Sequence, residues 1–301
     1  MNAKQLIIGI LKPINIPVTR FMLKRHYQAS KVLADTTGAR KVLVLAPHMD
    51  DETIGPGGVI RKHANEGAEV HCAFVTDGSN SVSDLSKDEL IHTRMKEMEE
   101  AKGILGIDSI HYMGLPDGKV ESNEESRRKF RDIIETVQPD IIYCTSYVDA
   151  HTDHTQTAKT LADVLKDMED PSMTLRLYEI NCPIPPSFVN CVMDISDTVA
   201  DKKRAIEVFS SQAIAFDGFL ELNRLKRELA AEDIQAAEVF VEPTIPAFIQ
   251  HCEYLENEYY PSRFPELFKQ ANRTDTLLWA IYKNFRLKKR LYENSFRGKE
   301  N

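Results

Sequence analysis

Lys41-Val-Leu-Val-Leu-Ala46, followed at once by Pro47-His48-Met49-Asp50-Asp51-Glu52, is the stretch on which the reading of the fold depends. A short β-branched run that is apolar at both alternating positions is the pattern of a strand buried on both faces. Outward from it, Gly55, Gly57 and Gly58 precede a helical pattern with Val59, Ile60 and His63 that stops at Gly67. Val70 to Thr76 reads as a second strand, ended by Asp77-Gly78. Ser86 opens a long helix, with Glu89 completing a capping box and Leu90, Met95, Met98, Ala101 and Leu105 on one face. Ile110 to Met113 is a third strand, Ser126 to Val137 a third helix, and Ile141 to Cys144 a fourth strand. A helix from about His154 to Met168 and a strand over Leu175 to Ile180 continue the alternation. Strands separated by helices imply parallel pairing, because each parallel pair needs a crossover. The expected fold is therefore α/β: a Rossmann-like, doubly wound, mainly parallel sheet with helices on both faces and helical N- and C-terminal additions. Past Pro183 the rhythm breaks. Val189 to Ile195 reads as one more strand, Val199 to Ala231 as charged and helical, and the last sixty residues as helical between Pro243, Pro246, Pro261 and Pro265. The expected division is a basic extension over 1–40, a catalytic domain over 41–240 and a helical extension over 241–301.

With 301 residues, 42% hydrophobic and 28% charged, the composition is that of a globular protein with a substantial core. A net charge of −8 gives no reason to expect a nucleic-acid partner, which needs a clustered positive field. The five cysteines form no CxxC pair, and that pattern suits a reducing, cytoplasmic setting. No signal peptide is evident; the opening run Leu6 to Ile10 is short, and Lys12, Pro13 and Pro17 interrupt it well before the roughly 20 apolar residues of a membrane span.

Ligands of open α/β sheets collect beyond the carboxyl ends of the strands. Two clusters fall there: Pro47 to Glu52 after the first strand, and His151-Thr152-Asp153-His154 after the fourth. A hydrolytic zinc site needs about three nitrogen or oxygen ligands and one open position. His48, Asp51 and His154 would supply that set. Asp50, pointing elsewhere than Asp51, is left to act as a base. His151 is the candidate for stabilising an oxyanion, with Asp153 as the group that fixes its orientation or charge. Asp-Asp-Glu before a helix could alternatively be an N-terminal charge complement. The glycines after it do not follow GxGxxG, and two acids ahead of them would repel phosphate.

At these residues the chain resembles the phosphatidylinositol-glycan-L or LmbE-like de-N-acetylases, whose signatures are Pro-His-Pro-Asp-Asp-Glu and His-Pro-Asp-His. Here they stand as Pro47-His-Met-Asp-Asp-Glu52 and His151-Thr-Asp-His154, with Met49 and Thr152 in place of prolines. Arg94-x-x-Glu97, Gly114-Leu-Pro-Asp-Gly118, Lys203, Ser211-Gln212 and Glu238-Val-Phe240 resemble further landmarks, so the likeness runs from about Lys41 to Phe240. The resemblance implies Zn2+, with Fe2+ as the alternative, bound by His48, Asp51 and His154. It also implies Asp50 as general base, and His151 as the group that stabilises the oxyanion or protonates the leaving amine. Arg94 and Asp117 match positions that hold sugar hydroxyls, and for Arg94 a salt bridge to Glu97 or Glu52 is the competing reading. Where some relatives carry a tyrosine, this chain has Asp149, and Tyr147 is the nearest alternative. The implied reaction is removal of an N-acetyl group from an amino sugar. The rivals are an amidase of the same mechanism acting on a thiol conjugate or antibiotic intermediate, and a membrane-surface or assembly protein.

That last rival rests on the ends. The first forty-one residues carry Lys4, Lys12, Arg20, Lys24, Arg25, Lys31, Arg40 and Lys41 against Asp35 alone. The C-terminal segment carries Lys283, Arg286, Lys288, Lys289, Arg290, Arg297 and Lys299. Leu6 to Leu11, Phe21-Met-Leu23, Leu277 to Tyr282, Phe285 and Leu287 lie beside these cations. Such segments either rest peripherally on the inner face of a membrane, or pack on the core or across a homo-oligomer contact.

Overall fold

The computed structural model describes residues 3–80, 86–169, 171–211, 215–259 and 261–296, with side chains from residue 12 to residue 293. Gln212, Arg297, Lys299 and the side chains of Leu6 to Leu11 lie outside the described residues. In chain order the elements are α1 (Ala3–His26), β1 (Lys41–Ala46), α2 (Asp51–Ile54), α3 (Gly57–Asn65), β2 (Glu69–Thr76), α4 (Lys87–Leu105) and β3 (Ser109–Leu115). Then come α5 (Glu124–Val137), β4 (Ile141–Thr145), α6 (Thr152–Asp167), β5 (Thr174–Tyr178), β6 (Cys191–Asp194), α7 (Val199–Val208) and α8 (Asp217–Lys226). β7 (Ala237–Val241), α9 (Ile245–Glu258), α10 (Phe264–Leu267), α11 (Leu277–Tyr282) and α12 (Phe285–Phe296) complete the chain.

The strand order is β3-β2-β1-β4-β5-β7-β6. Pairing is parallel from β3 through β5, and β7 runs antiparallel to both β5 and β6. This is the doubly wound order, and its direction of winding reverses between β1 and β4. Burial explains why β1 sits centrally: Val42 to Ala46 are fully buried. One core cluster packs Leu43 and Leu45 against α5, α6 and α9, and the other packs Val42 and Val44 against α3 and α4. The expected elements all occur. β7 was not expected. It is five residues long, carries the buried Glu238, and was singled out only as a motif.

Helix ends follow from local chemistry. The capping box of α4 closes between Ser86 and Glu89, and Gly106, at φ 75, ends the helix in a left-handed turn. The terminal segments dock on the domain: Leu23, Tyr27, Leu291 and Tyr292 belong to the same core cluster as the sheet.

Candidate active site

Parallel β1 and β4 are neighbours, so the loops leaving their carboxyl ends converge at the winding switch. After β1 the backbone turns through Asp50 at φ 143, a conformation that costs a non-glycine residue about 1–3 kcal/mol. Asp50 holds the N-cap position of the four-residue α2, yet its side chain makes no cap bond. The capping role that Asp-Asp-Glu could have played is thus not taken by Asp50. Its own N–H donates instead to Glu52 Oε2 at 3.0 Å. The loop is braced from behind. Lys202 Nζ donates to the carbonyls of Ile54 and Gly55 and to Glu238 Oε1, while Glu238 accepts the N–H groups of Gly58 and Val59. Gly55 is required here, since a Cβ would lie 2.4 Å from the Tyr178 ring. Lys203, singled out from the sequence, is exposed; its neighbour Lys202 is the fully buried cation.

After β4 the chain enters α6 with His151 as N-cap, its Nδ1 accepting the N–H of Asp153 at 3.2 Å. A ring that accepts at Nδ1 carries its proton on Nε2. Burial, then the neighbouring His154 and His48, push His151 down to about 4, so the ring is neutral at pH 7.

Three donor atoms meet between the loops. Asp51 Oδ2 lies 3.1 Å from His48 Nδ1 and 3.2 Å from His154 Nε2, and those two nitrogens are 3.3 Å apart. A tetrahedral ion with bonds of about 2.05 Å requires donor separations of about 3.3 Å, so the triangle fits a divalent metal. The His48, His151 and His154 rings also approach closely enough to share an ion. His151, however, uses Nδ1 on the backbone, and the triangle through Asp51 has the tighter, carboxylate-containing donor set.

The remaining ring nitrogens face carboxylates, the arrangement that fixes ligand orientation and raises basicity. His48 Nε2 lies 3.2 Å from Asp153 Oδ2 and 3.3 Å from Asp117 Oδ1. His154 Nδ1 lies 3.2 Å from Asp149 Oδ1, a contact that favours the charged ring. Burial opposes charge on His154, yet Asp51 and Asp149 raise it to about 10. Burial likewise opposes charge on His48, and hydrogen bonds to Asp117, Asp153 and Asp51 outweigh it, holding the ring well above its usual value. A site that raises imidazole basicity this far is one that stabilises added positive charge. Burial and the adjacent Asp51 carboxylate push Asp50 well above the usual carboxylate range, and a cation among the donors acts in the opposite sense.

Two expectations need correction. Asp153, expected to fix the orientation or charge of His151, acts on that ring by charge alone, opposing its fall, and its carboxylate makes its hydrogen bonds elsewhere. It faces His48 and accepts the N–H groups of Gly118 (2.7 Å) and Val120 (3.1 Å), which fix it on that side. Tyr147 donates to Glu256 rather than lining the pocket, and Asp149 is the group beside His154. Asp149 was not picked out as functional. Its position two residues before His151 was the available signal.

The donors floor a cavity of about 210 Å3, which Asp50, His151, Arg94 and Asp117 also line. Arg94 is buried, with Nη1 donating to Gly78 O at 2.7 Å, while Glu97 accepts from Ser210 and Ser211. Asp117 accepts the Asn80 N–H at 3.0 Å as well as facing His48. The opposite wall brings residues the sequence reading missed: Asn181, Phe219 and Gln270. Asn181 Nδ2 donates to Asp149 Oδ1, and its backbone oxygen accepts the Ala271 N–H at 3.1 Å, which draws the Gln270 segment over the pocket.

The chain is 28% identical over 193 residues to a diacetylchitobiose deacetylase of Thermococcus kodakarensis, covering 58% of this chain and 70% of that protein. It is 30% identical over 138 residues to a probable N-acetyl-alpha-D-glucosaminyl L-malate deacetylase 2 of Bacillus cereus, covering 43% of this chain and 62% of that one. Its fold matches the N,N'-diacetylchitobiose deacetylase of Pyrococcus horikoshii with a TM-score of 0.62 at 24% identity, over 82% of this chain and 96% of that one. Residues 43–165, which span both strand-end loops, match the family model of the GlcNAc-PI de-N-acetylases (PIG-L).

Proposed function

We propose that this chain is a metal-dependent de-N-acetylase that hydrolyses the acetamido group of an amino sugar to acetate and a free amine. The observation that carries the reading is the donor triangle of His48, Asp51 and His154 with an uncapped carboxylate, Asp50, beside it. Its two imidazoles and one carboxylate suit zinc, with ferrous iron as the alternative. An ion held there supplies a Lewis acid that polarises a carbonyl and acidifies water.

The residues divide the remaining work. Asp50, ionised beside a cation, takes a proton from the attacking water and can hand it to the departing nitrogen as the amide C–N bond breaks. His151 presents its Nε2–H to the oxyanion that develops on the acetyl oxygen, a contribution of about 10²–10³ in rate when preorganised. Its low basicity favours this donor role over that of a proton-delivering imidazolium. Asp149 and Asp153 hold the two ligand rings. Arg94, Asp117 and Asn181 face the space where sugar hydroxyls would lie.

The test is acetate release from zinc-loaded protein. The substrates are N-acetylglucosamine, diacetylchitobiose, an N-acetylglucosaminyl malate, a lipid-linked N-acetylglucosamine and a non-sugar N-acetyl thiol conjugate. One amine should appear per acetate with at least one sugar, and chelation should stop it. Turnover of the thiol conjugate alone, or of nothing by fully metallated protein, would refute the assignment.

A further inference from the structure

Ile14, Val18, Phe21 and Met22 on α1 and Trp279 and Tyr282 on α11 are six of the eight large apolar side chains exposed among the described residues; Val32 and Tyr112 are the others. Scattered exposed apolar residues are ordinary, but a cluster marks an interaction surface. The two helices lie side by side. Lys12 Nζ is 3.4 Å from Asp275, just ahead of α11, and Tyr282 Oη is 3.2 Å from His26 Nδ1. Their inner positions are already spent on the core: Thr19, Leu23, Leu277, Ala280 and Ile281 are buried. The outer stripe at 14, 18, 21 and 22 is left without a role in folding. Packing on the core therefore holds for the inner residues of these helices, and the outer ones remain exposed.

Charge indicates what covers the face. The Arg25 guanidinium sits 4.8 Å from the centre of the Phe21 ring, and the Lys269 ammonium 6.0 Å from that of Trp279. α12 begins with Phe285 against His26, at 5.2 Å between ring centroids, and then presents exposed Arg286 and Arg290, with Lys289 paired to Glu293 at 3.4 Å. This cationic rim belongs to a chain whose net charge is −8. A second copy docking through the same face would set like charges against one another. Anionic headgroups would neutralise them while the aliphatic and aromatic side chains enter the interfacial layer, where Trp and Tyr are favoured. No helix among the described residues is long and apolar enough to cross a membrane, so the contact is one of lying on the surface. We propose that α1 and α11 form a face that docks this chain on an anionic lipid surface. One helix links face and pocket: on α8, Glu221 accepts from Arg20 at 2.6 Å and Phe219 lines the cavity.

The experiment pellets the full chain with phosphatidylcholine vesicles prepared with and without phosphatidylglycerol, at low and high salt. Binding is expected only with phosphatidylglycerol, weakening as salt rises. Phe21→Ala combined with Trp279→Ala should weaken it at least about tenfold. Arg25→Gln and Arg286→Gln should each weaken it about fivefold. Gel-filtration volume and acetate release from a soluble sugar should be unchanged in all variants. The proposal is overturned if wild type fails to pellet with anionic vesicles or binds neutral ones equally. It is also overturned if the double variant turns an oligomer into a monomer, which would show that a second copy covers the face.

Discussion

After β1 the chain twists through Asp50 at φ 143 into a helix of four residues with buried acids, whereas after β4 it runs extended through His151 and caps a helix of sixteen. The first loop has bonds of its own, such as Asp50 N–H to Glu52 and His48 N–H to Asp51, but is also braced from outside. The Lys202–Glu238 pair and the Tyr178 ring, both contributed by distant elements, pack against it. The second is supported locally, by its own helix and by the Asp149 side chain, which also accepts the His151 N–H at 2.9 Å. The difference suggests a division of labour. On the proposed reading, the strained, acid-rich loop carries the proton chemistry together with the ligands His48 and Asp51, and the regular loop places the third ligand, His154, and the hydrogen-bond donor His151.

Variants at matched positions can break that division. Asp50→Asn should lower kcat at least about 100-fold, the scale of general acid–base catalysis, while the ion stays bound. Steady-state kinetics beside metal analysis would show it, and wild-type turnover would require a different base. Asp149→Asn should act through His154 instead, weakening metal affinity about 10–100-fold. Competition with a chromogenic chelator measures that shift, and adding excess metal should restore much of the activity. A kcat loss that excess metal leaves untouched would place Asp149 nearer the chemistry than its contacts suggest. Gln270→Ala should be mildest, raising KM about two- to tenfold at unchanged kcat, because a pocket-wall amide binds ground state and transition state alike. An unchanged KM for every sugar tried would exclude it from substrate contact.

Much of this was legible in the sequence, for a physical reason. A β-branched run ending in a polar cluster announces both a buried strand and the ligand-binding end of it, so Lys41 to Glu52 disclosed sheet and site together. What escaped was set by contacts between distant residues. β7 is short, and Glu238 within it makes sense only through distant partners, Lys202 on α7 and the N–H groups of Gly58 and Val59. Adjacency in sequence favoured pairing Asp153 with His151, on which it acts by charge, whereas the fold also brings His48 to within 3.2 Å of it. Gln270 reaches the pocket through a backbone bond between Ala271 and Asn181, which no local pattern encodes.

The central claim is that both loops grip one ion, and metal content per chain tests it most directly. Wild type and Asp50→Asn should each hold about one equivalent of zinc after dialysis, and His154→Ala should hold almost none, with its hydrolysis lost. Full zinc occupancy and full activity in His154→Ala would contradict the account.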